Sequence, residues 1–416
     1  MSGRDGPIVV IGGGVIGALC AWHLAQAGRA VVVVDQGRFG AGCSHGNCGF
    51  VCPSHVLPLT MPGAVRRGIA ALLHPGGALS IKPRLSPALW HWLWKFARRC
   101  NRRDMLRAAH ARHELLQSSL RLYGELITQQ QIDCQWEARG LLFVFASGHE
   151  FEAYAQTDRL LRETFGIAAA PYDGRQLVEL EPALKPGLGG GWHYTGDCHL
   201  RPDLLMAELR RCLAARDVQI VEHFTVRDLR REAGRARAVL GPQGAVDGAQ
   251  FVVAAGALAP LLSGPLGCRL PIQPGKGYSI TMPRPRRCPT IPLIFDEHRV
   301  AVTPLRSGYR IGSTMELAGY DASINRPRLE LLRRGAACYL HEPYGEPVLE
   351  EWFGWRPMTW DDMPIIDRSP ALENVWIAAG HGMLGLSMAP ATGKLLAELL
   401  CGHAPHIDPA PFRLAR

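Results

Sequence analysis

One stretch near the start of the chain limits the fold more than any other. Ile8-Val9-Val10-Ile11 runs into Gly12-Gly13-Gly14-Val15-Ile16-Gly17, then an alanine- and leucine-rich segment, then Val31-Val32-Val33-Val34-Asp35. This reads as a buried strand, a glycine turn, a helix opened by Val15 and Ile16, and a second buried strand ending in an acid. Gly12, Gly14 and Gly17 fill the three places of G-x-G-x-x-G: a tight turn, close approach of backbone N–H groups to a pyrophosphate, and close packing of helix on strand. The helix N-terminus adds partial positive charge facing the phosphates. Asp35, followed by Gln36, is placed to accept hydrogen bonds from a ribose hydroxyl. With no arginine beside it, the acid favours an unphosphorylated ribose, hence FAD or NAD over NADP.

A chain of 416 residues exceeds one typical core, so two domains are expected. A hydrophobic share of 47% with 20% charged residues describes an ordered globular protein. The twelve cysteines lack paired C-x-x-C spacings. With the first strand starting at Ile8, they suggest free thiols in a reducing, cytoplasmic location without a signal peptide. No apolar run approaches the roughly 18 residues of a membrane span. The net charge of +9 comes from one place. Between Gln36 and Arg103 there is no acid but ten basic residues, and the rest of the chain is neutral to within one charge.

After Asp35, the small and polar residues from Arg38 to Gly49 form a loop able to pass close to a flat ligand. The acid-free segment follows, broken by Pro62, Pro75, Pro83 and Pro87. It carries Trp90, Trp92 and Trp94 among Lys95, Arg98 and Arg99 on short helical pieces. That pattern suits contact with the inner face of a membrane, or a partner. The alternative is a helix packed on the protein's own surface with snorkelling cations. No nucleic-acid module is recognisable. Further on, helices are expected over 105–131, 149–165, 202–215, 328–339 and 385–400. Strands are expected over 140–145, 187–198, 219–221, 223–226, 251–254 and 374–379, with antiparallel sheet from 270 to 318. Nucleotide-type elements at both ends and near residue 250 make the dinucleotide domain discontinuous. The expectation is an α/β fold with a Rossmann-like domain (1–64, 197–268, 350–416). A mainly antiparallel α+β substrate domain (105–196, 269–349) and the basic segment 65–104 complete it.

Later blocks carry a resemblance. Ser44-His45-Gly46-Asn47-Cys48-Gly49, Ala254-Ala255-Gly256-Ala257, Gly275-Lys276-Gly277-Tyr278-Ser279, Trp355-Arg356-Pro357-Met358-Thr359 and Gly380-His381-Gly382-Met383-Leu384-Gly385 resemble the D-amino-acid oxidase superfamily. Within it the chain is most similar to bacterial D-amino-acid dehydrogenases, including the branch acting on D-proline and 4-hydroxy-D-proline. The resemblance implies bound FAD and removal of hydride from an amino acid's α-carbon to flavin N5, giving an imine that water hydrolyses. It places Arg356 at the carboxylate-binding arginine, a role suited to a bidentate guanidinium. Tyr278 falls on a loop near the active site, as a carboxylate ligand or a buried structural tyrosine. Gly380, Gly382, Met383 and Leu384 fall at the flavin's pyrimidine end, with His381 as a possible contributor. Ser44 and Asn47 would contact flavin or pyrophosphate, Val226 would meet adenine through its backbone, and Gly49, Ala255 and Gly256 complete the cofactor set.

Some related dehydrogenases attach FAD through a histidine. Here that position falls at Gly46 and not His45, so FAD is expected to be non-covalent. Cys43, Cys48 and Cys52 read as small residues beside the flavin, and no metal is expected. The electron acceptor implied is a membrane quinone. The alternatives are an O₂-using oxidase of glycine or sarcosine, and a non-catalytic flavoprotein subunit of a complex.

Overall fold

Unbroken Val/Ile runs need cover on both faces, which a parallel sheet between helices supplies. The computed structural model, which describes residues 6–73, 77, 79–82 and 84–416, has that arrangement at its start: β1 (Ile8–Ile11), α1 (Val15–Gln26) and β2 (Val31–Val34). A short β3 (Phe50–Val51) precedes the acid-free segment, which holds α2 (Ala64–Leu73), β4 (Leu79–Ile81) and α3 (Pro87–Arg99). Two of its expected helix-breakers, Pro75 and Pro83, lie outside the described residues. The long α4 (Arg102–Gln130) leads into β5 (Leu141–Phe145), α5 (Gly148–Phe165), β6 (Ala170–Asp173), α6 (Gly174–Leu180) and β7 (Gly190–Tyr194). Then β8 (Cys198–His199), α7 (Pro202–Ala214) and β9 (Gln219–Val221) return the chain to the first unit. A small sheet of β10 (Asp228–Glu232), β11 (Arg235–Gly241) and β12 (Gly244–Asp247) precedes β13 (Gln250–Val253) and the short α8 (Ser263–Leu266). Next come β14 (Ile272–Met282), β15 (Leu293–Phe295), β16 (Val300–Leu305), β17 (Gly308–Leu317), α9 (Arg326–Tyr339) and β18 (Glu350–Thr359). The chain closes with β19 (Ile365–Arg368), β20 (Val375–Ala379) and α10 (Gly385–Cys401).

Two large sheets result. The first runs β19-β20-β13-β1-β2-β9, parallel except for its β19 edge, and draws on three distant parts of the chain. Its helix α1 is apolar all round because α7 and α10 cover it. The second has nine strands in the order β18-β14-β17-β16-β15-β5-β7-β6, with β4 beside β17. Helix α9 covers its back through Leu329, Leu332 and Ala336.

Three expectations change. The strand carrying Arg356 was placed with the nucleotide-binding part, but β18 pairs with β14 from Glu350 to Thr359 and belongs to the antiparallel sheet. Residues 223–226 are not a strand; they form an irregular connection in which the Phe224 N–H donates to the Asp35 carbonyl at 2.8 Å. The β10–β12 sheet was missed because β10 is charged and both outer strands, β10 and β12, are largely exposed, so hydrophobic alternation is weak there.

The two parts are tied by a buried ion pair. Arg112 on α4 donates to the Asp362 carboxylate just after β18, to the Asp362 carbonyl at 2.9 Å and to the His55 carbonyl at 3.0 Å. Arg112→Met leaves that carboxylate buried and without a counter-charge. A loss of about 3–5 kcal/mol is expected, to be read as a lowered denaturant midpoint.

Candidate active site

The glycine turn after β1 has no room for side chains. A Cβ on Gly12, whose φ is +113°, would lie 2.5 Å from the Ala254 carbonyl oxygen, and one on Gly17 only 1.8 Å from the Gly12 oxygen. Strand β13, the following Ala255 and Gly256, and α1 therefore close on one another through bare backbone. Gly14 caps α1 without a side-chain bond, and no acid sits in the first turn. The Val15 N–H donates to Ser44 Oγ at 2.9 Å, while the amides of Ile16 and Gly17 have no partner among the described residues. Asp35 accepts from Gly13 N (2.7 Å) and Gly37 N (2.8 Å), one bond per oxygen, which leaves each oxygen able to accept another. Gln36 is exposed beside it, and Val226 is half-buried in the connection that covers Asp35.

The loop from Cys43 to Gly49 is pinned to the front of the nine-stranded sheet. Ser279 Oγ donates to the Gly46 carbonyl (2.6 Å), Arg310 Nη1 to that of Asn47 (2.8 Å) and Thr303 Oγ1 to that of Cys48 (2.6 Å). Trp352 fills the space over Gly46 so fully that a Cβ there would be 2.4 Å from its ring. His45 Nε2 bonds Glu350 Oε1 at 2.7 Å. Asn47 spends its side chain inside the loop, donating to Ser44 O (3.2 Å) and accepting from Gly49 N (2.8 Å), so it shapes the loop and does not reach out of it.

The His45–Glu350 bridge makes this clamp pH-dependent. The hydrogen bond to Glu350 raises the His45 imidazole above its usual range, and the same bond lowers the Glu350 carboxyl. The contribution of His45 is complete below the ordinary histidine value and is lost as pH rises through the raised one. The contribution of Glu350 is lost only as pH falls through its lowered value. The thermal midpoint should therefore show an alkaline step just above the ordinary histidine value, absent in His45→Gln; both groups are about a third exposed, so the step is small.

Arg356 projects from β18 on the face that also carries Trp352 and, across the ladder, Gly275, Gly277 and Ser279. Its guanidinium lies against Gly277, where a Cβ would sit 2.4 Å from Cζ. Its Nη1 donates to the Thr314 carbonyl at 2.5 Å. That carbonyl is turned by a bulge in β17, where Ser313 and Thr314 adopt φ of +116° and +57° and the register with β14 shifts. Non-glycine residues in this region cost on the order of 1–3 kcal/mol each and concentrate at functional sites. The Thr314 hydroxyl is buried without a partner among the described residues. Among the described residues, no carboxylate lies within ion-pair distance of Arg356; the thiols of Cys43 and Cys48 are the titratable groups it feels. Burial holds its guanidinium below the ordinary arginine value. The turn 380–384 completes the site: the Gly382 N–H donates to the Pro357 carbonyl at 3.0 Å, and Met358 bridges His381.

Residues 7–399 match the family model described as "DAO: FAD dependent oxidoreductase". The chain belongs to the DAO family of FAD-dependent oxidoreductases. A D-amino acid dehydrogenase of Paramagnetospirillum magneticum is 34% identical over 409 residues, covering 95% of each chain. One from Xanthobacter autotrophicus is 33% identical over 98% of each. Among solved structures, glycine oxidase from Bacillus cereus superposes with a TM-score of 0.78 at 19% identity, over 99% of each chain. L-proline dehydrogenase from P. horikoshii gives 0.74 at 19% identity, over 99% of this chain and 97% of that one.

FAD, the cofactor of this DAO-family enzyme, fits the residues present. Gly12 and Gly17 let β1, α1 and β13 close through bare backbone, the α1 amides suit a pyrophosphate, and Asp35 keeps acceptor capacity for ribose hydroxyls. The turn Gly380–Leu384 and the uncapped start of α10 suit negative charge at the flavin's pyrimidine end.

Two expected catalytic residues are corrected. Tyr278 lies on the opposite face of β14 from Gly277; it is 1% exposed and donates to Glu316 Oε2 at 2.5 Å, so it builds the back core and does not face Arg356. His381 is buried and spends one ring nitrogen on Thr392 Oγ1 at 3.0 Å. Burial pushes it down to about 3, so it stays neutral and serves the packing of the turn on α10. Gly277, Thr314 and Trp352 went unnoticed as site residues. Only the two glycines around Lys276 hinted at them.

Proposed function

We propose that this family member is a D-amino-acid dehydrogenase, with the parallel sheet holding the dinucleotide and the antiparallel sheet presenting Arg356 to the substrate carboxylate. The observation that carries the reading is the Arg356 guanidinium: half-buried, oriented by Gly277 and the Thr314 carbonyl, and without a counter-ion among the described residues. A substrate carboxylate supplies the missing charge, and its bidentate pairing fixes the α-carbon. FAD, when bound, supplies the hydride acceptor. The chain's own residues bind and orient: Arg356 holds the carboxylate, while Ser279, Thr303 and Arg310 hold the loop facing it. FAD is held without a covalent link, since His45 is engaged by Glu350 and Gly46 is packed under Trp352. Flavin should leave with the supernatant on acid precipitation.

The substrate we favour is a cyclic secondary amine, D-proline or cis-4-hydroxy-D-proline, on the resemblance described above. The acceptor we favour is a membrane quinone. No helix among the described residues is long and apolar enough to cross a membrane. Helices α2 and α3 nonetheless expose Ile69 (55%), Trp90 (62%) and Trp94 (53%) beside Arg66, Arg67 and Arg98, a composition suited to an anionic lipid surface. The inner side of α3 reaches the site, with Trp92 Nε1 donating to the Met358 carbonyl at 3.1 Å.

The test is anaerobic flavin bleaching by D- and L-amino acids, both prolines included, followed by turnover with quinone or in air. Bleaching by D-enantiomers with turnover on quinone is expected. Stoichiometric hydrogen peroxide at full rate in air would replace the dehydrogenase by an oxidase. A flavin that no amino acid bleaches would leave a non-catalytic subunit.

A further inference from the structure

Strand β3 ends at Val51 opposite Cys198 of β8, in antiparallel register. One step further, that register brings Cys52 opposite Asp197. The chain then makes a tight turn, Cys52-Pro53-Ser54-His55, closed by the His55 N–H donating to the Cys52 carbonyl at 3.2 Å. Proline at the second place of such a turn presets its φ. The outcome is a C-x-x-H turn facing a carboxylate from a neighbouring strand. One ligand atom each from Cys52, His55 and Asp197 lies within 4.8 Å of the other two. Cys52 and Asp197 are buried, and the His55 ring is partly so.

The charge balance of this cluster is unusual. Asp197 accepts from Ser54 N (3.0 Å) and Ser54 Oγ (2.5 Å), and no cation stands within ion-pair distance of it among the described residues. Arg112 donates to the His55 carbonyl but is neutralised by Asp362. Ser54 Oγ also bonds His55 Nδ1 at 3.2 Å, so it sits between two of the three groups.

We propose that Cys52, His55 and Asp197 form a binding site for a borderline divalent cation, Zn²⁺ by ligand type. Sulfur, imidazole and carboxylate are the donors that zinc combines, and three protein ligands leave a fourth position for water. In a tetrahedral site the ligand atoms stand about 3.5 Å apart, so each side chain moves by under about 1.5 Å and Ser54 Oγ turns outward. Binding releases the thiol proton, and that of any protonated Asp197 carboxyl, to solvent, and the cation forms bonds to Sγ, an imidazole nitrogen and a carboxylate oxygen without any change in oxidation state. The site would fasten β3 to β8. The Cys52 N–H donates to Ser387 Oγ at 3.1 Å, and Ser387 in turn donates to the Phe50 carbonyl, so the same fastening bears on the start of α10.

The test uses tag-free, flavin-loaded protein dialysed against chelator, then titrated with Zn²⁺, with metal content measured by mass spectrometry. One equivalent should bind. Affinity should fall at least tenfold in Cys52→Ser and in Asp197→Asn, while Cys43→Ser binds as the parent does. Cobalt substitution should give tetrahedral d–d bands to the red of the flavin spectrum, lost in Cys52→Ser. No stoichiometric binding, or binding that both ligand variants retain, overturns the proposal. Should Cys52→Ser fail to fold, His55→Gln decides between the outcomes in the same assay. Flavin content and amino-acid bleaching are not the readout, so failure here is separate from failure of the dehydrogenase reading.

Discussion

Arg356→Ala should raise KM for an amino-acid substrate by roughly two to three orders of magnitude while the flavin stays bound. The guanidinium pairs with no described carboxylate, so a substrate carboxylate is its natural counter-charge. Removing one partner of a buried, hydrogen-bonded charge pair costs about 2–5 kcal/mol, and each 1.4 kcal/mol is about tenfold in affinity. Arg356→Lys keeps a charge but not the planar fork, and a point charge cannot hold two carboxylate oxygens at once. It should recover only part of the loss. Folding should change little by comparison, since Arg356 contributes a hydrogen bond to the Thr314 carbonyl, worth about 1 kcal/mol, and a weak one to Met315 Sδ. A KM unchanged by either substitution, with a lowered melting temperature, would make Arg356 a brace for the β17 bulge.

Gly17→Ala should give a chain that purifies without flavin. The added Cβ would stand 1.8 Å from the Gly12 oxygen and 3.0 Å from its carbon, and these are backbone atoms that cannot swing aside. Relief requires α1 to withdraw from β1. That movement carries the Ile16 and Gly17 amides away from the phosphates and pulls Val15 off Ser44. Loss of FAD affinity by more than a hundredfold is expected, read as the ratio of flavin to protein absorbance. Gly124→Ala is the matching control. It lies inside α4 with nothing within 4 Å of the added carbon, and removing glycine from a helix interior should stabilise by about 0.4–1 kcal/mol. If Gly17→Ala retained stoichiometric FAD, the cradle would not be the cofactor's anchor.

Much of the nucleotide end was legible because local rules govern it. Gly12, Gly14, Gly17 and Asp35 act through backbone geometry and short sequence separation, and the structure brings them together as their spacing implies. The front of the antiparallel sheet was less so, because a strand's side chains change face at every residue. Gly275-Lys276-Gly277-Tyr278 marks the right place, but the register with β18 turns Gly277 toward Arg356 and Tyr278 away from it. The bulge at Ser313 and Thr314 left no trace, since neither residue is the glycine that a positive φ usually selects. His381 was read as a polar group near the flavin; its neutrality follows from burial among distant segments that its neighbours in sequence do not reveal. The Cys52-x-x-His55 turn was overlooked because its third member, Asp197, comes from another strand.

The central claim is that this DAO-family enzyme recognises an amino acid through the Arg356–carboxylate pair. Its most direct test is an anaerobic titration of flavin absorbance in the parent and Arg356→Ala, using D-proline and pyrrolidine, the same ring without a carboxylate. On the proposed pairing, D-proline bleaches the parent at concentrations at least a hundredfold lower than pyrrolidine does, and Arg356→Ala erases this difference. Equal sensitivity of the parent to both compounds, or an undiminished preference for D-proline in Arg356→Ala, would contradict it.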